Sequence, residues 1–160
     1  MDEKKRNPVV VIVDDEEMVL TSLASFLRLE TEYEVNTFLT AAAALAFGRE
    51  QDVDIVVSDY FMPEMDGIEF LKAFRDLHPH TPRILLTGYA DKENAIKAIN
   101  EVGLFQYVEK PWDNDSLLLV LRNGIERMGL LRALEDKIAE INSAYGKLQG
   151  LQTDILRTFI

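Results

Sequence analysis

Short apolar runs and longer amphipathic stretches alternate along this chain. Val9-Val10-Val11-Ile12-Val13 is continuous and β-branched, the pattern of a strand covered on both faces. Asp14-Asp15-Glu16-Glu17 follows, and then Met18, Leu20, Leu23, Phe26 and Leu27 recur at helical spacing. Tyr33 to Phe38 predicts a second strand. Thr40 is placed to cap an Ala-rich helix that runs to Phe47, with Gly48 near its end. Ile55-Val56-Val57-Ser58 predicts a third buried strand ending at Asp59; Met62-Pro63 then breaks the chain, and Asp66 opens a helix carrying Ile68, Phe70, Leu71 and Phe74. Pro79 and Pro82 fence a loop, after which Ile84-Leu85-Leu86 predicts a fourth strand ending at Thr87. Asp91 starts a helix bearing Ala95, Ile96 and Ile99, and Gly103 closes it. Phe105 to Val108 predicts a fifth strand ending near Lys110-Pro111, and a last helix begins about Asn114. Five alternations of strand and helix predict an α/β fold, a parallel sheet with helices on both faces.

The residues after Ile125 are not needed to complete those five repeats. Leu131, Leu134, Ile138, Ile141, Tyr145, Leu148, Gln152, Ile155 and Phe159 fall at alternating spacings of three and four, an a/d heptad seam in which Gln152 is the polar member. Upstream, Ile125, Met128, Leu131 and Leu134 are each three apart, a stammer that marks a register shift. A helix from Ile125 to Ile160 extends ~54 Å at about 1.5 Å per residue. The stripe is therefore expected to pair with a second chain as a parallel coiled coil; a helix folded back onto its own domain is the alternative. The apolar pattern runs to the last residue, Ile160, and suggests an output domain beyond it. The organisation expected is an arm over residues 1–7, a domain over 8–127, and a helical coiled-coil linker over 128–160.

Composition narrows the function. The chain has 160 residues, is 48% apolar, and carries a formal net charge of -11. An acidic chain without a basic, aromatic-laced run is poorly suited to nucleic acid or to an anionic membrane. There is no cysteine, so disulfides, thiolate zinc sites and cysteine nucleophiles are excluded. Met1 to Arg6 imitates the basic start of a signal peptide, yet the apolar run behind it is too short and ends in four acids. No stretch approaches the roughly 20 apolar residues of a membrane span. A soluble, cytoplasmic protein is expected.

Candidate chemistry lies at the strand ends. Asp14 and Asp15, Asp59, Thr87 and Lys110 sit at the C-terminal ends of strands one, three, four and five. In open α/β sheets, ligands bind outside those ends. Three carboxylates gathered there repel one another unless a cation joins them, and a hard, oxygen-preferring ion such as Mg²⁺ fits. An aspartate is a competent phosphoryl acceptor, forming an acyl phosphate. Lys110 can pair with a phosphoryl oxygen as a point charge, and Thr87 can donate a hydrogen bond to another. Elsewhere, Asp66-Gly67 reads as a cap and turn, Asp91 as a cap, and His78 and His80 beside Pro79 as solvated loop residues.

Four segments carry a resemblance: Val-Asp-Asp-Glu at 13–16, Ser-Asp-Tyr-Phe-Met-Pro-Glu-Met-Asp-Gly at 58–67, Leu-Thr-Gly at 86–88 and Tyr-Val-Glu-Lys-Pro-Trp at 107–112. In that order the chain resembles the response-regulator receiver family of two-component signalling, from about Pro8 to Arg127. The resemblance implies a flavodoxin-like (βα)5 doubly wound sheet of order 2-1-3-4-5, with an extended C-terminal helix. It implies phosphorylation of Asp59 by a sensor histidine kinase or phosphotransfer protein. Direct Mg²⁺ ligation by Asp15 and Asp59 is implied, with Asp14 acting largely through water and the main-chain carbonyl of Phe61 as a further ligand. Thr87 and Tyr107 match the family's coupled switch pair, and the Lys110-Pro111 bond is commonly cis in the family. A phosphorylated Asp59 would then shift the face formed by the fourth helix, fifth strand and fifth helix. Phe61 and Tyr89 stand where polar residues are frequent in the family, and are expected to screen the acyl phosphate from water.

The expectation is a switch, not an enzyme beyond self-phosphorylation and autodephosphorylation. It works as a homodimer through its C-terminal helix and binds no nucleic acid or membrane itself. Two rivals are weighed. An aspartyl phosphohydrolase of the haloacid-dehalogenase kind places its nucleophile in Asp-x-Asp after the first strand, whereas here the aspartates are adjacent. A flavodoxin-type carrier uses an uncharged Ser/Thr/Gly-rich phosphate loop, and the acids at 14–17 would repel a flavin phosphate.

Overall fold

The structure, a computed structural model, describes the backbone of residues 6–159 and the side chains of residues 6–150 apart from Tyr89. Most of the expected N-terminal arm, and the side chains of Gln152, Ile155 and Phe159, lie outside the described residues. Contacts divide the chain into two units, one ending at Met128 and one beginning at Gly129.

In the first unit five parallel strands, β1 (Val9–Val13), β2 (Glu34–Phe38), β3 (Ile55–Asp59), β4 (Arg83–Thr87) and β5 (Gln106–Glu109), form one sheet in the order β2-β1-β3-β4-β5. Strand periodicity sends alternate side chains to opposite faces. Val9, Val11 and Val13 join one buried cluster, and Val10 and Ile12 the other. All five β1 residues are buried because both faces are covered, which is why its sequence does not alternate. On one face lie α1 (Glu17–Glu30), through Leu20, Leu23 and Leu27, and the start of α5 (Asn114–Phe159), through Leu117, Leu118 and Leu121. The other face carries α2 (Ala41–Glu50), α3 (Gly67–Leu77) and α4 (Lys92–Val102), packed through Leu45, Phe70, Leu71, Phe74, Ala95 and Ala98.

Local chemistry explains the helix ends. Thr40 accepts a hydrogen bond from the Ala43 amide, and Asp66 accepts one from the Glu69 amide at 2.8 Å. Helix α2 continues past Phe47 to Glu50, because Gly48 is a packing site and not a terminator: a Cβ there would lie 2.9 Å from Cε2 of Phe74. Asp91 makes no capping hydrogen bond through its side chain, contrary to expectation; a 3₁₀ turn, Tyr89–Asp91, leads into α4 instead. Gly103 ends α4 at φ 70°, the left-handed region where glycine is favoured. His78 is half-buried and not solvated, its Nε2 against the Gly48 carbonyl and its ring 5.4 Å from Phe74.

The second unit is helical throughout its described backbone, as the C-terminal part of α5. Its seam residues Leu134, Ile138, Ile141, Tyr145 and Leu148 are 49–62% exposed. Gly146 and Gly150 have open space where a Cβ would stand, with nothing within 4 Å. Replacing both by alanine is therefore expected to stabilise this helix by about 1 kcal/mol per site without any clash. Thermal melts followed at 222 nm on the whole chain measure this, and an unchanged or lower helical melting midpoint contradicts it. No helix of the described residues is long and apolar enough to cross a membrane.

Candidate phosphoryl-acceptor site

The adjacency of β1 and β3 builds the site. Their register pairs Val13 with Ser58, so Asp14 and Asp59 stand one residue further on, at the same end of the sheet. Asp14, Asp15 and Asp59 each offer an oxygen, and the three oxygens lie within 4.8 Å of one another. Asp14 and Asp59 are buried, whereas Asp15 is exposed. Lys110 enters from the end of β5. Its amide donates to the Thr87 carbonyl at 2.7 Å, which fixes the stem, and its Nζ reaches Oδ1 of Asp59 at 2.9 Å. The Tyr60 amide donates to the same Asp59 oxygen at 2.9 Å. The Lys110-Pro111 peptide is cis.

Electrostatics at Asp14 are unfavourable. Oδ1 accepts the Glu16 amide at 2.8 Å, but Oδ2 is buried with no hydrogen-bond partner among the described residues. Nζ of Lys110 stands 3.8 Å from that oxygen, near enough for Coulomb attraction and too far for a hydrogen bond. Burial is the main reason the Asp14 carboxyl is pushed up to about 6, opposed by the Glu16 amide and reinforced by the charge of Asp59. Burial alone would lower Lys110, yet its hydrogen bond to Asp59 and the charges of Asp59 and Asp14 outweigh that and raise it.

The residue set fits a hard divalent cation. All its donors are oxygens, one is buried without a partner, and the cluster's negative charge exceeds what one lysine offsets. Such an ion would be held by Asp14, Asp15 and Asp59.

Thr87 ends β4 opposite Glu109, and Tyr107 pairs with Leu85 two residues earlier. Residues two apart share a face, so Thr87 and Tyr107 lie on the same side of the sheet, that of α3 and α4. Oγ1 of Thr87 is buried without a hydrogen-bond partner among the described residues, and Tyr107 is half-buried. The Phe61 ring is 65% exposed and leans edge-on against Tyr60 at 5.0 Å. The Tyr89 side chain lies outside the described residues.

Two supporting contacts were not legible in the motifs. The Gly67 amide donates to the Tyr60 carbonyl at 2.8 Å, and a Cβ on Gly67 would lie 2.1 Å from the main-chain oxygen of Asp59. The glycine thus permits α3 to abut the acceptor itself. Lys92 at the start of α4 also pairs with Glu109 at the end of β5, 3.1 Å apart. The Asp-Gly pair could have signalled the first; nothing in the sequence marks the second.

Comparison with known proteins agrees with this architecture. The family model for the response regulator receiver domain matches residues 10–122. The hydrogenase transcriptional regulatory protein HoxA of Cupriavidus necator is 37% identical over 125 residues, covering 78% of this chain and 26% of that protein. The transcriptional regulatory protein FixJ of Rhizobium meliloti is 33% identical over 142 residues, 89% of this chain and 67% of that protein. The chain thus spans about a quarter of the length of HoxA. Among solved structures, a response regulator receiver domain protein from Clostridium thermocellum superposes with a TM-score of 0.73 at 32% identity, covering 78% of this chain and 98% of that one. An adenylate cyclase structure from Rhodopirellula baltica gives a TM-score of 0.79 at 27% identity, covering 84% and 98%. These matches do not favour a dehalogenase-type hydrolase, whose nucleophile follows the first strand and not the third. With its five-stranded order, its acid cluster facing a lysine and a family match over most of its length, the chain belongs to the response regulator receiver domain family.

Proposed function

We propose that Asp59 accepts a phosphoryl group from the phosphohistidine of a sensor kinase or phosphotransfer protein, and that this chain acts as a cytoplasmic switch for an output module. The observation that carries the reading is the gathering of Asp14, Asp15 and Asp59 within 4.8 Å, with Nζ of Lys110 2.9 Å from Asp59. In the transfer an Asp59 carboxylate oxygen forms the new P–O bond as the donor's P–N bond breaks, and the imidazole, protonated by solvent water, leaves as the neutral ring. Bound Mg²⁺ supplies charge neutralisation for the phosphoryl oxygens. Asp14, Asp15, Asp59 and the Phe61 carbonyl would hold it. Lys110 pairs with one phosphoryl oxygen, and Thr87, whose hydroxyl has no partner in the described residues, donates to another. Movement of Thr87 frees space on the face it shares with Tyr107, and the ring turns inward. That shift biases the surface formed by α4, β5 and α5. The chain turns nothing over beyond its own phosphorylation and dephosphorylation. Residues 8–127 form the receiver, and the helix beyond them joins two chains.

The test is labelling with a small acyl phosphate. With Mg²⁺ the wild type is expected to take up one phosphoryl group, and Asp59→Asn none. Labelling of Asp59→Asn at the wild-type rate overturns the assignment.

Phe61, two residues after the acceptor with its ring against Tyr60, and Tyr89 are proposed to slow water attack on the acyl phosphate. Phe61→Asn is then expected to shorten the lifetime of phospho-Asp59 several-fold. An unchanged decay rate of the isolated phosphoprotein removes that role from Phe61.

A further inference from the structure

Ser58 stands one residue before the acceptor, is fully buried, and takes no part in the acid cluster. Alternation along β3 places it on the face of Val56, the side of α3 and α4, whereas Asp59 follows Val57 on the opposite side. Its side chain therefore points away from the acceptor carboxylate. The residue beside it on β1, Val13, is apolar and equally buried. A hydroxyl in such surroundings is unfavourable unless it is hydrogen-bonded.

Its partner is the main-chain oxygen of the acceptor. Oγ of Ser58 donates to the Asp59 carbonyl at 2.9 Å, and the sulfur of Met62 lies 3.8 Å from the same hydroxyl. One hydroxyl carries one proton, and of these two neighbours the carbonyl oxygen is the strong acceptor and the thioether the weak one. Gly67 packs against the same carbonyl oxygen, where a Cβ would stand only 2.1 Å away. The oxygen is thus bonded by Ser58 and enclosed by α3.

The Asp59 carbonyl and the Tyr60 amide are the two edges of one planar peptide. That amide donates to Oδ1 of Asp59 at 2.9 Å and to the Leu86 carbonyl at 3.0 Å. Fixing the oxygen at one edge of the plane fixes the N–H at the other. Donation into the carbonyl also polarises the amide and strengthens the bond that it makes in turn. Lys110 reaches the same Oδ1 from β5, so two donors orient the carboxylate and Ser58 governs one of them.

We infer that Ser58 is a positioning residue for phosphoryl transfer: its hydroxyl, acting through the peptide between Asp59 and Tyr60, aims the Tyr60 N–H at Oδ1 and holds the acceptor carboxylate in its reactive orientation. The inference rests on the proposed acceptor role of Asp59 and adds a residue that itself touches neither the carboxylate nor the phosphoryl group.

The test compares Ser58→Ala, Ser58→Cys and Met62→Leu with the wild type in the whole chain, at a temperature where urea titration shows each fully folded. The readouts are the rate of uptake from a small acyl phosphate at saturating Mg²⁺ and the amide proton resonance of Tyr60. Losing one neutral hydrogen bond is expected to slow Ser58→Ala about fivefold, with the Tyr60 resonance moved upfield as its N–H donates more weakly. Ser58→Cys, similar in size but a weaker donor, is expected to fall between alanine and serine in both readouts. Met62→Leu keeps the packing without the sulfur and is expected to stay within about twofold of the wild type. A wild-type rate in folded Ser58→Ala overturns the inference, as does a Ser58→Cys no faster than Ser58→Ala. A loss in Met62→Leu as large as in Ser58→Ala overturns it too, because packing and not the hydroxyl is then what matters. If Ser58→Ala does not fold, a wild-type rate in Ser58→Cys overturns it alone. Each of these results leaves Asp59 as the acceptor; a wild type that takes up no label removes the proposed function itself, and this inference with it.

Discussion

Gly67→Ala is expected to cost about 3 kcal/mol of stability and to slow phosphoryl uptake at Asp59 by at least tenfold. The added methyl would lie 2.1 Å from the Asp59 carbonyl oxygen and 2.9 Å from Cδ1 of Leu85. A leucine tip can rotate away; a main-chain oxygen in the sheet cannot. Either α3 withdraws, losing the Gly67–Tyr60 hydrogen bond and the packing of Phe70, or the end of β3 shifts and carries the acceptor with it. Urea denaturation and the rate of labelling by an acyl phosphate measure the two effects. Asp66→Asn is the control, since asparagine caps a helix about as well as aspartate. It should leave stability within about 0.5 kcal/mol. If Gly67→Ala also stays within that margin, the close approach has no energetic weight.

Asp14→Asn is expected to act in opposite directions on stability and on metal binding. Without added metal the variant should gain about 1–2 kcal/mol, because a buried carboxylate with one unpartnered oxygen and two carboxylates beside it becomes neutral. The amide oxygen can still accept from the Glu16 amide, so the local turn is kept. The Lys110 contact, at 3.8 Å, is too long to reverse the sign. With millimolar Mg²⁺ the ranking should invert, since a cation bound to the native state stabilises the wild type through linkage and the variant far less. Thermal melts of both proteins with and without Mg²⁺ decide this. A destabilised Asp14→Asn in metal-free buffer would mean that the Lys110 pairing outweighs the burial penalty.

Much of the fold is legible in the residues because burial on two faces leaves a plain mark. The β-branched runs at 9–13 and 55–57 and the run at 84–86 all lie within strands, and the order of strands follows the resemblance. Boundaries went astray where tertiary packing overrides local chemistry. Gly48 reads as a helix end but sits inside α2 because Phe74, which comes from another helix, leaves no room for a Cβ. His78 reads as a solvated loop residue, yet Phe74 and the Gly48 carbonyl hold it half-buried. The site shows the same division. The acids and the lysine stand out because their charge is anomalous at the ends of apolar strands. The Asp-Gly pair marks a turn before α3, but what Gly67 makes room for is not written beside it, since the atom it avoids belongs to a residue eight positions away on β3.

Lys110 is tethered twice: its amide to the last carbonyl of β4, its ammonium to the last side chain of β3. One residue therefore clasps two neighbouring strands at their tips. A change of negative charge at Asp59 acts first on the ammonium of this clasp, whose stem begins at the outermost rung between β4 and β5. The edge strand and the acceptor thus share a single stem, that of Lys110.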